Sequence, residues 1–252
     1  MCFDLDSAPP VPHVAGAAVD HQHVTLTAED GTEFAAFHAV GPGTGPAVVV
    51  LPDVRGLYRF YEELALRLAE HGYDAVAIDY FGRTAGVDRR GDDFDFWPHI
   101  EQTTADGVRQ DTAAAVAHLR AEDPSRKVFT IGFCYGGSNS WSQAASGHGL
   151  AGAIGFYGHP TRAGFPSGAA AVIDRVGDIE CPILGLMGGA DPGIPIEESD
   201  RFRAALTAAG VVSEIVVYDG APHSFFDRKA ADFAAAASDA WTLILRFLEA
   251  HG

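Results

Sequence analysis

The fold of this chain is decided by the stretch Gly132-Phe133-Cys134-Tyr135-Gly136-Gly137. The stretch ends an apolar, β-branched run and opens a predicted helix, so Cys134 stands on the turn between the two. Glycines flank such a turn because it is too sharp for side chains near its central residue. The start of a helix also favours the negative charge of a nucleophile. The pattern predicts that Cys134 is a nucleophile, with a buried structural cysteine as the alternative.

Strands and helices are predicted to alternate on both sides of this turn. The predicted strands are Val24–Thr27, Phe34–Val40, Ala47–Leu51, Ala75–Tyr80, Val128–Phe133, Ala153–Tyr157, Ile183–Met187 and Ser213–Tyr218. The predicted helices are Tyr61–Glu70, 99–121, Gly136–Ser146, Glu197–Ala209 and 229–250, and the segments 81–98 and 159–180 are predicted to be loops. This alternation predicts one α/β domain over residues 1–252, with a mainly parallel sheet and an N-terminal extension over 1–20.

Two further segments carry candidate catalytic residues directly after predicted strands. Asp191 lies in the segment Met187–Pro195, and His223 lies in the segment Asp219–Phe226. Ligands of an open parallel sheet bind beyond the carboxyl ends of its strands, where these segments are expected to meet. The order Cys134, Asp191, His223 is that of the α/β-hydrolase triad of nucleophile, acid and histidine. Taken alone, Asp191 is also typical of a turn or a helix cap.

The loop Leu51–Gly56 follows the predicted strand Ala47–Leu51 and completes the predicted site. In this architecture such a loop supplies one backbone N–H of the oxyanion hole, and the residue after the nucleophile supplies the other. These two donors are predicted to belong to Val54 and Tyr135.

The charge balance excludes several classes of partner. The 252 residues include 34 Asp and Glu against 17 Lys and Arg, which gives a net charge of −17. Such a chain is not expected to bind nucleic acid or anionic lipid, because both require clustered cationic side chains. The apolar runs are too short to span a membrane. Three cysteines without a C-x-x-C motif, and no secretory signal, predict a cytoplasmic protein without a disulfide framework.

The cysteine turn and the two loops resemble the dienelactone hydrolase family, whose founding activity is carboxymethylenebutenolidase. The family has a G-[FY]-C-x-G-G turn, a G-G-x-D loop and a G-H-S-F loop. These are matched here by Gly132–Gly137, Gly188–Asp191 and Pro222–Phe225. The resemblance extends from about residue 24 onward, and the cysteine nucleophile makes it specific among α/β-hydrolases.

The resemblance implies a role for each residue of the predicted triad. Cys134 is then the nucleophile, His223 its base and Asp191 the residue that orients the histidine. An acidic residue that contacts the resting thiol is also implied, and its place is held by Asp53, where the family has Glu. Arg83 matches an arginine that binds the substrate carboxylate in the family.

Further substrate-binding residues are implied by the same resemblance. A second family arginine lies a few residues past the histidine; Asp227 stands in its place here, and Arg228 follows one position late. Trp97, Tyr157 and Phe225 are the aromatic residues expected to line the site.

The sequence therefore predicts hydrolysis of a small-molecule ester or lactone through a thioacyl-enzyme, without a cofactor or metal. A general carboxylesterase or thioesterase for neutral substrates is one alternative, and a thiol redox protein in which Cys134 reacts with peroxide is another. His21 and His23 share one face of a strand, but two histidines without a third ligand do not predict a metal site. We expect a monomer or a small homo-oligomer.

Overall fold

The strands in the described part of this protein form one eight-stranded sheet. The computed structural model describes residues 6–17, 19–41 and 45–252, so Cys2 and part of the predicted N-terminal extension lie outside the described residues. The strands are β1 (Asp20–Thr27), β2 (Glu33–Val40), β3 (Ala47–Leu51), β4 (Asp74–Ile78), β5 (Val128–Phe133), β6 (Gly152–Phe156), β7 (Ile183–Gly188) and β8 (Ser213–Tyr218). Their order is β1-β2-β4-β3-β5-β6-β7-β8. Strand β2 pairs antiparallel with β1 and β4, and every other pair is parallel, which confirms the predicted α/β class.

Helices cover this sheet. They are α1 (Arg59–Glu70), α2 (Gly82–Ala85), α3 (Trp97–Ile100), α4 (Ala105–Leu119), α5 (Tyr135–Gln143), α6 (Ile196–Ala208) and α7 (Ala234–His251). Strands β3 to β6 are buried along their whole length, as expected of parallel strands covered on both faces. Directly after α1, the ring of His71 packs against Trp241 of α7 at 5.5 Å. These two helices therefore lie on the same face of the sheet.

Several predicted boundaries differ from the structure. Strand β1 begins at Asp20 rather than Val24, and α7 begins at Ala234 rather than at 229. The predicted helix 99–121 is in fact two helices, because Thr104 has an extended backbone and accepts a hydrogen bond from the N–H of Gly107 at 3.0 Å, so that α4 begins at Ala105. The predicted loop 81–98 contains α2 and the start of α3. The predicted loop 159–180 contains a 3₁₀ helix over Val172–Asp178.

The carboxyl ends of the parallel strands lie along one edge of the sheet. Cys134 directly follows β5, and Tyr157 directly follows β6. The segments after β3, β4, β7 and β8 start from the same edge and carry the other predicted site residues, with Arg83 and Trp97 in the segment after β4. None of the helices in the described ranges is both long enough and apolar enough to cross a membrane.

Candidate active site

The turn at Cys134 has the conformation that a nucleophile elbow requires. Cys134 has a φ of 56°, in the left-handed region that side chains rarely adopt, and its N–H donates to the carbonyl of Phe156 at 3.0 Å. A Cβ on Gly136 would lie 2.0 Å from the carbonyl oxygen of Leu51, and one on Gly132 would lie 1.9 Å from the carbonyl oxygen of Gly136. The flanking glycines are therefore required by contact of backbone with backbone.

Asp191 and His223 lie against one another, as their order along the chain predicts. Oδ2 of Asp191 is 2.6 Å from Nδ1 of His223, and Oδ1 accepts a hydrogen bond from the N–H of Gly193 at 2.8 Å. Burial by itself raises the pKa of Asp191, but the hydrogen bonds and the charge of His223 outweigh it, so the pKa lies below its usual value. An ionised carboxylate only accepts hydrogen bonds, so Nδ1 carries the hydrogen and Nε2 is the basic nitrogen.

The loop that carries Val54 is held by two tyrosine hydroxyls. The hydroxyl of Tyr80 donates to the carbonyl of Pro52 at 2.9 Å, and the N–H of Asp53 donates to the hydroxyl oxygen of Tyr61 at 3.0 Å. Asp53 is completely buried, and its Oδ1 accepts from the N–H of Arg55 at 2.9 Å. These bonds fix the backbone on both sides of the predicted N–H donor.

A buried ion pair holds the far end of the same loop. Oδ1 of Asp79 accepts from the N–H of Leu57 at 3.0 Å, and Oδ2 accepts from Nη2 of Arg90 at 2.7 Å. A Cβ on Gly56 would lie 2.4 Å from Oδ1 of Asp79, so the loop packs directly on this carboxylate. Asp79 thus connects the Val54 loop to the segment that contains Arg90.

Tyr135, the second predicted oxyanion donor, begins helix α5. The N–H groups of a helix's first turn have no partner within the helix, so this N–H is available to a developing oxyanion. The phenol is buried and bonds to the hydroxyl of Thr103 at 2.8 Å, while its ring packs 5.2 Å from that of Tyr80. The Tyr135 side chain therefore packs beneath the turn at Cys134 and helps to hold it in place.

Arg83, the predicted carboxylate-binding residue, is paired with carboxylates of the protein itself. Its Nη1 donates to both oxygens of Asp111 at 2.8 and 2.7 Å, and its Nε donates to Asp30 at 3.1 Å. Burial raises the pKa of Asp111 to about 6 even though Arg83 lowers it. Only the buried Nη2 has no partner among the described residues, so a substrate carboxylate would compete with these bonds everywhere else on the guanidinium, and the role of Arg83 stays a prediction.

Asp227, in the place of the second family arginine, is buried beside the predicted triad. Its Oδ2 accepts a short hydrogen bond from the hydroxyl of Tyr157, and its Oδ1 accepts one from the N–H of Arg228. The Arg228 side chain is exposed. The ring of Tyr157 lies 4.6 Å from that of His223. The structure thus places Tyr157 at the site, whereas the cation expected after the histidine is replaced there by a carboxyl group.

The other two predicted aromatic residues differ in exposure. Phe225 is completely buried, with its ring 5.7 Å from that of Tyr157, so it supports the site from within the core. Trp97 is 54% exposed and packs at 4.9 Å on Phe96, which leaves most of its indole free for contact. Substrate binding by these residues stays a prediction.

Sequence reasoning missed the side chains that support the predicted site. Tyr61, Asp79 and Tyr80 hold the Val54 loop, and Asp79 directly follows β4, at the strand edge from which the other site residues were found. His159, two residues after Tyr157, also lies at this strand edge. Its backbone N–H donates to the Ser138 hydroxyl at 2.7 Å. Across 6–17, 19–41 and 45–252, no three His, Cys, Asp or Glu side chains are grouped to hold a metal ion.

The model of the dienelactone hydrolase family matches residues 34–252. The chain belongs to the dienelactone hydrolase family. A relative from Escherichia coli K12 is 33% identical, over 90% of this chain and 86% of its own length. The carboxymethylenebutenolidase of Rhodococcus opacus is 30% identical, over 100% of this chain and 97% of its own. The resemblance predicted from the cysteine turn is confirmed, and membership of this family makes the protein a hydrolase.

Solved structures agree with the family assignment. A crystal structure from Klebsiella pneumoniae has a TM-score of 0.80 at 27% identity, covering 92% of this chain and 99% of that chain. A dienelactone hydrolase-like promiscuous phosphotriesterase from metagenomic libraries has a TM-score of 0.75 at 26% identity, covering 94% and 99%. This dienelactone hydrolase family member therefore shares its fold over nearly the full length of both structures, which confirms the predicted α/β-hydrolase fold.

Proposed function

We propose that this hydrolase cleaves carboxylic esters or lactones with a triad of Cys134, His223 and Asp191, through a thioacyl-enzyme. The observation that carries the proposal is the 2.6 Å contact between Nδ1 of His223 and Oδ2 of Asp191 at the sheet edge that also presents Cys134. Family membership and the strained turn at Cys134 support it.

Acylation begins when Nε2 of His223 takes the proton of the Cys134 thiol. The thiolate attacks the carbonyl carbon, and the carbonyl electron pair moves to the oxygen, where the N–H groups of Val54 and Tyr135 stabilise the charge. Asp191 stabilises the imidazolium and holds its orientation. When the tetrahedral intermediate collapses, the C–O bond of the ester breaks, and the departing alkoxide takes the proton from His223.

Deacylation repeats this sequence with water. His223 removes a proton from water, the hydroxide attacks the thioacyl carbon, and the C–S bond breaks to return the thiolate. The proton passes from His223 back to the thiolate. With a lactone, the alcohol and the acid remain one molecule, so the product is a hydroxy acid.

A specific observation favours neutral substrates over anionic ones. Arg83 is already bound to Asp111 and Asp30, and Asp227 places a carboxyl group beside His223. A substrate carboxylate would meet these groups within a protein of net charge −17. A carboxylesterase or thioesterase for neutral substrates is therefore the second candidate function.

A thiol redox role has less support. A thiol redox reaction would not use the paired Asp191 and His223. Burial raises the pKa of Cys181 to about 12, so this second free thiol is a poor partner for disulfide formation.

Two free thiols in the described part of the chain support the proposal of a reducing, cytoplasmic location.

The proposal is tested by Cys134→Ala, with hydrolysis of p-nitrophenyl acetate and of a neutral lactone as readouts. We expect a folded protein with no activity above background on either substrate. Cys181→Ala, which removes the other described thiol, is the matched control and is expected to keep wild-type kcat. Rapid acid quenching of the wild type should show the acyl group on the peptide that contains Cys134. Full activity of Cys134→Ala, or acylation elsewhere, would reject the triad.

A further inference from the structure

Among the described residues, the non-glycine positions with positive φ all lie at the proposed site. In the parts of the chain that the structure describes, the non-glycine residues with positive φ are Cys134 at 56°, Tyr157 at 35° and Ser224 at 68°. Such strain persists only where surrounding contacts enforce it, and it clusters at functional sites. Cys134 is the proposed nucleophile and Ser224 follows the proposed base. Tyr157 is strained in the same way and has no chemical role in the proposed reaction.

The contacts of Tyr157 hold its ring beside the imidazole. Its backbone N–H donates to the carbonyl of Leu186 at 2.9 Å, and its side chain is completely buried. The ring lies 4.6 Å from that of His223, with 49° between their planes. At its far end the phenol hydroxyl donates to Asp227. The ring is thus fixed by the sheet at one end and by a carboxyl group at the other.

Asp227 belongs to the same loop as His223 and is itself fixed. Its side chain accepts from the N–H of Arg228, and its own N–H donates to the carbonyl of Ser224 at 3.2 Å. Only 4% of the residue is exposed. The hydrogen bond from Tyr157 to Asp227 therefore connects the end of β6 to the loop after β8, and the Tyr157 ring lies beside the imidazole of His223.

We propose that Asp227 is a positioning residue for His223: its carboxyl group anchors the phenol of Tyr157, and the Tyr157 ring keeps the imidazole against Asp191. This role rests on the proposed function, because it acts through the proposed base. Removing the anchor lets the ring and the imidazole move together, which misaligns Nε2 with the thiol and with water. Misplacement of a catalytic group by about 1 Å lowers a rate by up to about 100-fold.

The surroundings of Asp227 give this role a signature in the pH profile. Burial raises the pKa of Asp227 to about 7. Hydrogen bonds from Tyr157 and from the Arg228 N–H lower this pKa, as does the charge of His223, whereas the charge of Asp53 raises it. Asp227 therefore gains its charge near neutral pH. The ionised form stabilises the imidazolium that forms when His223 takes the thiol proton.

The test compares Asp227→Asn, Asp227→Ala and Tyr157→Phe by their kcat and KM for p-nitrophenyl acetate across neutral pH. Asp227→Asn keeps an acceptor for the phenol, so we expect kcat within about threefold of wild type and loss of the ionisation near pH 7. Asp227→Ala and Tyr157→Phe are expected to lower kcat about tenfold or more with KM nearly unchanged. The exposed neighbour variant Asp232→Asn is the matched control and should keep the wild-type profile.

Wild-type kcat and an unchanged pH profile in Asp227→Ala would overturn the proposal. If that variant does not fold, Tyr157→Phe, which removes a single oxygen, decides the question by the same criterion. Cys134→Ala is measured in parallel. Activity retained there would reject the proposed function and this role with it, whereas activity lost there and unaffected in Asp227→Ala would reject only the role of Asp227.

Discussion

Arg90 donates two hydrogen bonds to Oδ2 of Asp79, at 3.2 and 2.7 Å, in a pair whose side chains are only 4% and 1% exposed. The other oxygen of Asp79 holds the N–H of Leu57 in the loop that carries Val54. The geometry of the predicted oxyanion hole is therefore connected to an ion pair in the protein interior.

Removing one partner of this pair should destabilise the protein strongly, because it leaves the other charge buried and uncompensated. We expect Asp79→Ala to lower the free energy of unfolding by about 3–5 kcal/mol, measured by urea denaturation. The exposed pair Arg59–Glu63 provides the control, and Glu63→Ala should cost no more than about 1 kcal/mol. Equal losses in the two variants would show that Asp79 does not clamp the loop.

Gly136→Ala should distort the turn at Cys134. The new methyl group would lie 2.0 Å from the carbonyl oxygen of Leu51, so backbone must move. We expect a loss of about 3 kcal/mol in the free energy of unfolding, together with loss of esterase activity. Gly177→Ala is the control, since nothing lies within 4 Å of a Cβ at Gly177. A Gly136→Ala protein with wild-type stability and kcat would contradict the close contact.

Asp191→Asn should lower kcat by about 10²–10⁴-fold, because an amide can donate to Nδ1 and thereby favour the wrong histidine tautomer. The fold should be preserved, since the two side chains have nearly the same shape. Steady-state kinetics with p-nitrophenyl acetate measure the effect, and the exposed Asp219→Asn serves as the control. A fall of less than threefold would remove Asp191 from the triad.

Arg83→Ala separates the two candidate substrate classes. Because Asp111 and Asp30 hold the guanidinium, we expect kcat/KM for an anionic lactone and for a neutral ester to change by the same factor. We would measure kcat and KM of wild type and Arg83→Ala with two matched substrates that differ only in a carboxylate. A rise in KM confined to the anionic substrate would instead assign Arg83 to carboxylate binding.

Asp227→Asn should make the protein more stable at alkaline pH. The pKa of Asp227 is about 7 in the folded protein against 3.8 for an ordinary aspartate, so the wild type loses stability as pH rises through this window. An uncharged Asn does not lose this stability. The difference in unfolding free energy should therefore grow in favour of Asp227→Asn from about pH 5 to about pH 9, mostly below pH 8 and by at most about 3 kcal/mol. Urea denaturation at both pH values measures it, and a constant gap would contradict the buried, titrating carboxyl group.

Much of the fold and the identity of the proposed triad could be predicted from local sequence. The glycines around Cys134 are required by contacts within one strand, turn and helix, and strand periodicity is a property of neighbouring residues. Asp191 and His223 could be found because each lies in the short segment after a strand, and parallel strands bring their ends to one edge. The helix boundary at Thr104 was missed because its cap depends on a single side-chain hydrogen bond.

Sequence alone thus determined the family, the sheet and the residues proposed as nucleophile, acid and base. Only the tertiary structure decided which charges remain available at the site. Arg83 is bound by Asp111 and Asp30, which are 28 and 53 residues away, and Asp227 is bound by Tyr157, which is 70 residues away. Such pairings depend on where distant segments come to lie and on how deeply they are buried. No pattern of neighbouring residues records either property.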